Sequence, residues 1–134
     1  MPLLKEFTSN KKIKIFNHVS QNKLNEFYNI SDVFIISSIE DGFAMVIPQA
    51  LACALPVICS ENSGGSELIK NGVNGYVLPI RDIYELKKKM NLLYENKKHY
   101  IFLKETLVKG RNNLSWDRYG DLIVYNYSSL LKAD

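Results

Sequence analysis

Residues 32–37 read Asp-Val-Phe-Ile-Ile-Ser, residues 44–53 read Ala-Met-Val-Ile-Pro-Gln-Ala-Leu-Ala-Cys, and residues 56–59 read Pro-Val-Ile-Cys. The first is an apolar, β-branched run of the kind carried by parallel strands that are covered on both faces. The second is helical by composition, and its Pro48 fits only in or next to the first turn, where a missing N–H is harmless. The third is again strand-like. Strand, helix and strand with short connections predict a right-handed crossover in an open parallel sheet.

The same alternation continues outward. Lys12–Phe16 (Lys-Ile-Lys-Ile-Phe) reads as a strand, and Leu24, Phe27 and Tyr28 follow at helical spacing. Glu67–Lys70 reads as a short helix stopped by Asn71-Gly72, and Gly75–Leu78 as a strand after the Asn74-Gly75 turn. Beyond Pro79 only helices are expected. Asp82 caps one that carries Leu86, Met90 and Leu93 on a single face, and a second covers Lys97–Lys109. A third covers Trp116–Leu131, where Trp116, Tyr119, Ile123, Tyr127 and Leu130 form a stripe read as core. The fold class is α/β, a doubly wound, Rossmann-like parallel sheet flanked by helices. Four short strands make a narrow sheet, and the chain opens on a helical stub at Leu3–Thr8, so the expectation is a domain truncated at its N-terminal side.

Composition bounds the rest. The 134 residues, 46% hydrophobic and 23% charged, suit one domain that buries roughly two thirds of its unfolded surface without a disulfide or metal. A net charge of +3 is too small and scattered to indicate nucleic acid. The apolar stretch Phe43–Cys59 contains Gln49 and is cut by Pro48 and Pro56, whereas a bilayer span needs about 20 apolar residues. The N-terminus lacks the basic start and apolar run of a signal peptide, which makes the cytoplasm the default location. Cys53 and Cys59 read as buried, reduced core residues, since two isolated thiols do not make a zinc site. The absence of an Asp-x-Asp pair argues for a metal-free site.

In an open α/β sheet, ligands sit outside the carboxyl ends of the strands, so the loops Asn17–Gln21, Ser37–Ala44, Ser60–Ser66 and Pro79–Asp82 are where chemistry is sought. The second passes from a strand through Glu40-Asp41-Gly42 into a helix, whose first amides suit a phosphate or a sugar hydroxyl. Gly42 allows close backbone approach or a positive φ. Asp41 can accept two hydroxyls, and Gln49 can meet a diol. The plainer alternatives are an Asp41 that merely caps the helix and a Gln49 that satisfies a buried backbone group. Gly64-Gly65 offers a turn lining the pocket, a purely structural turn or a weak phosphate cradle. Glu67 reads as a first-turn residue placed by the helix dipole, His18 as a solvated or stacking residue, and His99 as inert. The lysines at 87–89 and 97–98 read as a solvated face, with anionic lipid as the minority alternative.

These segments together, with Ser-Gly-Gly-Ser-Glu-Leu-Ile (63–69) and Asn-Gly-Val-Asn-Gly-Tyr-Val (71–77), resemble the C-terminal, donor-binding lobe of group 1 (family 4-like) retaining glycosyltransferases of the GT-B fold. Weaker similarity reaches back to Lys12 and forward to Ser115-Trp116 and Tyr119, and it implies that the terminal helix crosses towards the other lobe with part of its stripe exposed. The resemblance implies a single nucleotide-sugar-binding domain over residues 1–134, lacking its first strands and the acceptor lobe. It further implies transfer of a sugar from a nucleotide diphosphate donor with retention. The family's acidic residue, seven intervening positions and second acidic residue fall here on Asp41 and Gln49. By resemblance Asp41 is the catalytic-site carboxylate and binds donor sugar hydroxyls. The amides of Phe43, Ala44 and Met45, next to Gly42, hold the sugar; Val46 lies near the phosphates, and Gln49 meets the ribose. Val19 packs on the base with His18 beside it, and Gly64 and Gly65 line the sugar pocket.

The sequence departs from that pattern. Asp41 is one methylene shorter than the usual Glu, Gln49 forgoes the roughly two-fold gain of a charge-assisted hydrogen bond, and Ala44 replaces a usual Gly. The family's Arg followed five residues later by Lys, which neutralises the leaving diphosphate, has no counterpart at Arg81, Arg111 or Arg118. The implied partners are a nucleotide-sugar donor and an acceptor lobe in the same enzyme or a separate chain, with neither cofactor nor nucleic acid. The alternatives are a catalytically inactive nucleotide-sugar-binding or interaction fragment and a GT-B nucleotide-sugar epimerase.

Overall fold

The computed structural model describes residues 12–110 and 115–131; the expected stub at Leu3–Thr8 lies outside them. Three strands, β1 (Phe34–Ile36), β2 (Val57–Ser60) and β3 (Gly75–Leu78), form a parallel sheet in the order β1-β2-β3. Ile35 stands opposite Ile58, and Ile58 opposite Tyr76. The helices are α1 (Gln21–Ile30), α2 (Val46–Ala52), α3 (Ile83–Glu95), α4 (Lys97–Gly110) and α5 (Trp116–Leu131). A 3-10 turn covers Ser66–Leu68, where a short helix over Glu67–Lys70 was expected.

All four residues of β2 are buried, as the unbroken apolar run predicts. Val57 and Cys59 join Ile47, Leu51, Leu55 and Leu107 in one core, while Ile58 joins Tyr76, Leu78, Leu93 and Leu103 in another. The alternation places helices on both faces of the sheet. Pro48 is the third residue of α2, within the turn whose N–H groups have no intrahelical partner. The Asp82 carboxylate accepts from the Glu85 amide at 2.9 Å and caps α3 as expected. The buried face of α3 carries Leu93 with partly buried Leu86 and Leu92, whereas Met90 is exposed.

Three expectations are corrected. Lys12–Phe16 is not a strand: Ile13, Ile15 and Phe16 are exposed, and Phe16 meets the Phe27 ring edge-on at 4.9 Å. Apolar alternation supplies a face for burial, but a ladder also needs a neighbouring strand in register, and no strand ladder among the described residues includes this segment. The α5 stripe is not the core that its spacing suggested: Tyr119, Ile123 and Tyr127 are all exposed, as the resemblance implied for part of it; the side chains of Trp116 and Leu130 lie outside the description. Cys53 is only half-buried, whereas Cys59 is fully buried.

Burial pushes the Cys59 thiol up from 9.0 to about 11. Alkylation of the native protein is therefore expected to modify Cys53 and spare Cys59 until the chain unfolds, as peptide mapping would show. Because the folded state holds this proton longer than the unfolded state, Cys59 makes stability fall as pH rises from 9 towards 11. Its Cys59→Ala variant should lose that alkaline slope.

Candidate functional site

A parallel sheet brings the carboxyl ends of all its strands to one edge. There the loops after β1 and β2 are laced together. The Ser60 hydroxyl donates to the Ser38 carbonyl and lies 2.9 Å from the Ser63 hydroxyl. Asn62 Nδ2 donates to the Ile39 carbonyl at 3.0 Å. The Asp41 amide donates to the Asn62 carbonyl at 3.1 Å, and the Gly64 amide returns to the Asp41 carbonyl at 3.0 Å. Ser60 and Ser63 are buried and fully paired, which is the condition for tolerating polar groups there.

Gly64 makes this contact possible. A Cβ on it would lie 1.5 Å from the Gly42 carbonyl oxygen, whereas one on Gly42 would meet nothing within 4 Å. Gly42 shows neither a positive φ nor a crowded Cβ position, so the demand for glycine falls on Gly64. Gly65 rests on Ile47, whose Cβ, Cδ1 and Cγ2 would stand 3.0–3.2 Å from a side chain placed there. The Gly64 amide is consumed by Asp41, so this residue lines the platform and is not a phosphate cradle.

Among the described residues no protein acceptor meets the amides of Gly42, Phe43, Ala44 or Val46. The Met45 amide, expected among the sugar-holding donors, is instead bonded to the Phe43 carbonyl at 2.8 Å. Phe43 and Met45 project outward, while the Ala44 methyl is buried and anchors the turn. Asp41 is not a helix cap. The N-cap position of α2 belongs to Met45, without a side-chain cap bond, and the Asp41 carboxylate has no hydrogen bond among the described residues. Beside the turn lies a hollow of about 360 Å³ whose lining includes Gly42, Phe43, Glu61, Asn62, Gly64 and Glu67.

Gln49 sits one turn into α2 from Met45. Its Oε1 accepts a long hydrogen bond, 3.4 Å, from the buried Tyr28 hydroxyl, whose pKa is raised chiefly by burial. Its Nε2 has no partner among the described residues. His18 is exposed and Val19 half-buried on the segment before α1, and neither is hydrogen-bonded to Asp41 or Gln49. Sequence reasoning missed the Ser38, Ser60, Asn62 and Ser63 lacing as well as Tyr28. Small polar residues clustered just after an apolar strand were the available signal.

No helix among the described residues is long and apolar enough to cross a membrane. The chain is 26% identical over 113 residues to the UDP-Gal:alpha-D-GlcNAc-diphosphoundecaprenol alpha-1,3-galactosyltransferase of Escherichia coli, covering 78% of this chain and 29% of that protein. The C-terminal domain of a group 1 glycosyl transferase from Francisella tularensis superposes with a TM-score of 0.70 at 20% identity, over 83% of this chain and 59% of that one. Anabaena HepE, solved in complex with UDP-glucose, gives a TM-score of 0.76 at 18% identity, over 96% of this chain and 35% of that one. The chain spans less than a third of the length of curated relatives it matches. The described fold is that of the Rossmann-like lobe of GT-B glycosyltransferases. The family profile of the group 1 glycosyl transferases matches residues 3–106, well over half of the sequence, and the chain belongs to that family.

Proposed function

We propose that this chain is the donor-binding lobe of a retaining sugar transferase, with residues 1–134 forming one nucleotide-sugar-binding domain. The observation that carries the reading is the turn from Asp41 to Val46, where an unpaired carboxylate and four unmatched amides stand together on the laced carboxyl edge. Asp41 accepts hydroxyls of the donor sugar, and the amides of Phe43 and Ala44 donate to its oxygens. The Val46 amide lies by the diphosphate. Gln49 offers Nε2 to the ribose diol, and His18 and Val19 flank the base. Catalysis then rests on positioning and on stabilising the charged leaving group in a cleft closed by an acceptor-binding lobe, from the same polypeptide or another chain. The nucleotide sugar is the substrate, and no metal or cofactor enters. Support comes from the family match and from a fold shared with a protein that holds UDP-glucose.

Calorimetric titration with UDP, GDP and ADP sugars tests the reading. One of them is expected to bind at up to millimolar concentration, with the affinity lost in Asp41→Ala. A folded chain that binds none of them at that concentration overturns it. A second reading, binding without turnover, is favoured by the neutral Gln49 with its carbonyl already engaged by Tyr28. It predicts the same titration but no transfer by the complete enzyme. If transfer occurs, the anomeric configuration of the product decides retention.

A further inference from the structure

Helix α4 turns Leu103 and Leu107 into the two cores and leaves Ile101, Phe102 and Val108 about half exposed. At 3.6 residues per turn, Ile101, Glu105 and Val108 share one outward stripe. Lys97 and Lys104 flank it on one side, Lys98 and Lys109 on the other. Ile101, Lys104, Glu105, Val108 and Lys109 line one shallow surface hollow. None of these four lysines is ion-paired among the described residues. The charge is also uneven along the chain. Residues 83–110 carry seven lysines against three glutamates, net +4, while the rest carries ten basic against eleven acidic residues, net −1.

We propose that this outer face of α4 docks on an anionic lipid surface. An aliphatic stripe bordered by lysines suits the boundary between headgroups and acyl chains, because the stems lie along apolar surface while the ammonium groups reach the phosphates. A nucleic acid would make less use of Ile101 and Val108, which offer its bases no stacking platform. Glu105 opposes the interaction from within the stripe. The inference is independent of the donor site, which lies on the carboxyl edge of the sheet.

The test is sedimentation of the full chain with vesicles of phosphatidylcholine alone or mixed with phosphatidylglycerol. Binding is expected only to the mixed vesicles and should weaken as salt is added. Neutralising Lys97, Lys98, Lys104 or Lys109 to Gln is expected to cost roughly five-fold in affinity for each lysine, and Ile101→Ser with Val108→Ser should weaken binding further. Glu105→Gln is expected to strengthen it by a similar factor, a gain that a damaged fold could not give. Lys14→Gln, Lys23→Gln and Lys70→Gln serve as the control set and should change little. Failure to bind the mixed vesicles, equal losses from the control set, or stronger binding to an RNA oligomer than to the vesicles would overturn the proposal.

Discussion

Gly64→Ala is expected to destabilise the protein by about 4 kcal/mol or more, the range reserved for gross steric conflict, and to abolish nucleotide-sugar binding in whatever folded fraction remains. The new Cβ would stand 1.5 Å from the Gly42 oxygen, 2.3 Å from its carbonyl carbon and 2.9 Å from the Asp41 oxygen. All three are backbone atoms, so no side-chain rotation relieves the clash. One loop must retreat, which breaks the Gly64–Asp41 and Asp41–Asn62 hydrogen bonds and leaves the turn of the candidate site without its support. Gly42→Ala is the control, because its Cβ enters open space; its stability should stay within about 0.5 kcal/mol of the parent. Urea denaturation measures both. A Gly64→Ala midpoint equal to that of the parent would mean the two loops are not in contact.

That contrast shows where the sequence was legible and where it was not. The α/β class could be read from residues 32–59 because burial on both faces of β2 leaves an unbroken apolar run, and because Pro48 is compatible with only one end of a helix. The bounds of α5 and the cap at Asp82 were likewise written in local chemistry. What failed depended on neighbours remote in sequence. Lys12–Phe16 has the alternation of a strand and no ladder partner among the described residues, and the α5 stripe has helical spacing but an exposed face. Asp41 looks like a cap until the path of residues 42–45 places Met45 at the helix start. Ala54 carries no sign of its left-handed φ of 55°, which closes α2 by bringing the Leu55 amide to the Ala50 carbonyl at 3.0 Å. For the site, the resemblance pointed to the Asp41–Val46 turn, whereas the lacing beneath it needed the fold.

Ile47→Ala and Leu103→Ala together test whether the seating of α2 on Gly65 positions the turn or merely stabilises the domain. Both side chains are fully buried at 0% exposure, and each truncation is expected to cost about 2–5 kcal/mol through lost burial and a residual cavity. They lie in different cores. Leu103 packs beneath α4 with Ile58, Tyr76 and Leu93, away from the carboxyl-edge loops. Ile47 lies in the other core and presses on Gly65, so its truncation opens space between α2 and the loop that carries Gly64. Comparable losses in denaturation midpoint are therefore expected, but only Ile47→Ala should also weaken nucleotide-sugar affinity of the folded protein, by about ten-fold if 1.4 kcal/mol of loop ordering must be restored on binding. The measurement is calorimetry below the unfolding transition, where both variants are still native. Equal affinity losses in the two would show that the donor site senses overall stability and not the seating of α2 on Gly65. Parent-like affinity in both would show that the turn keeps its shape without Ile47, leaving the hydrogen bonds between the two loops as its support.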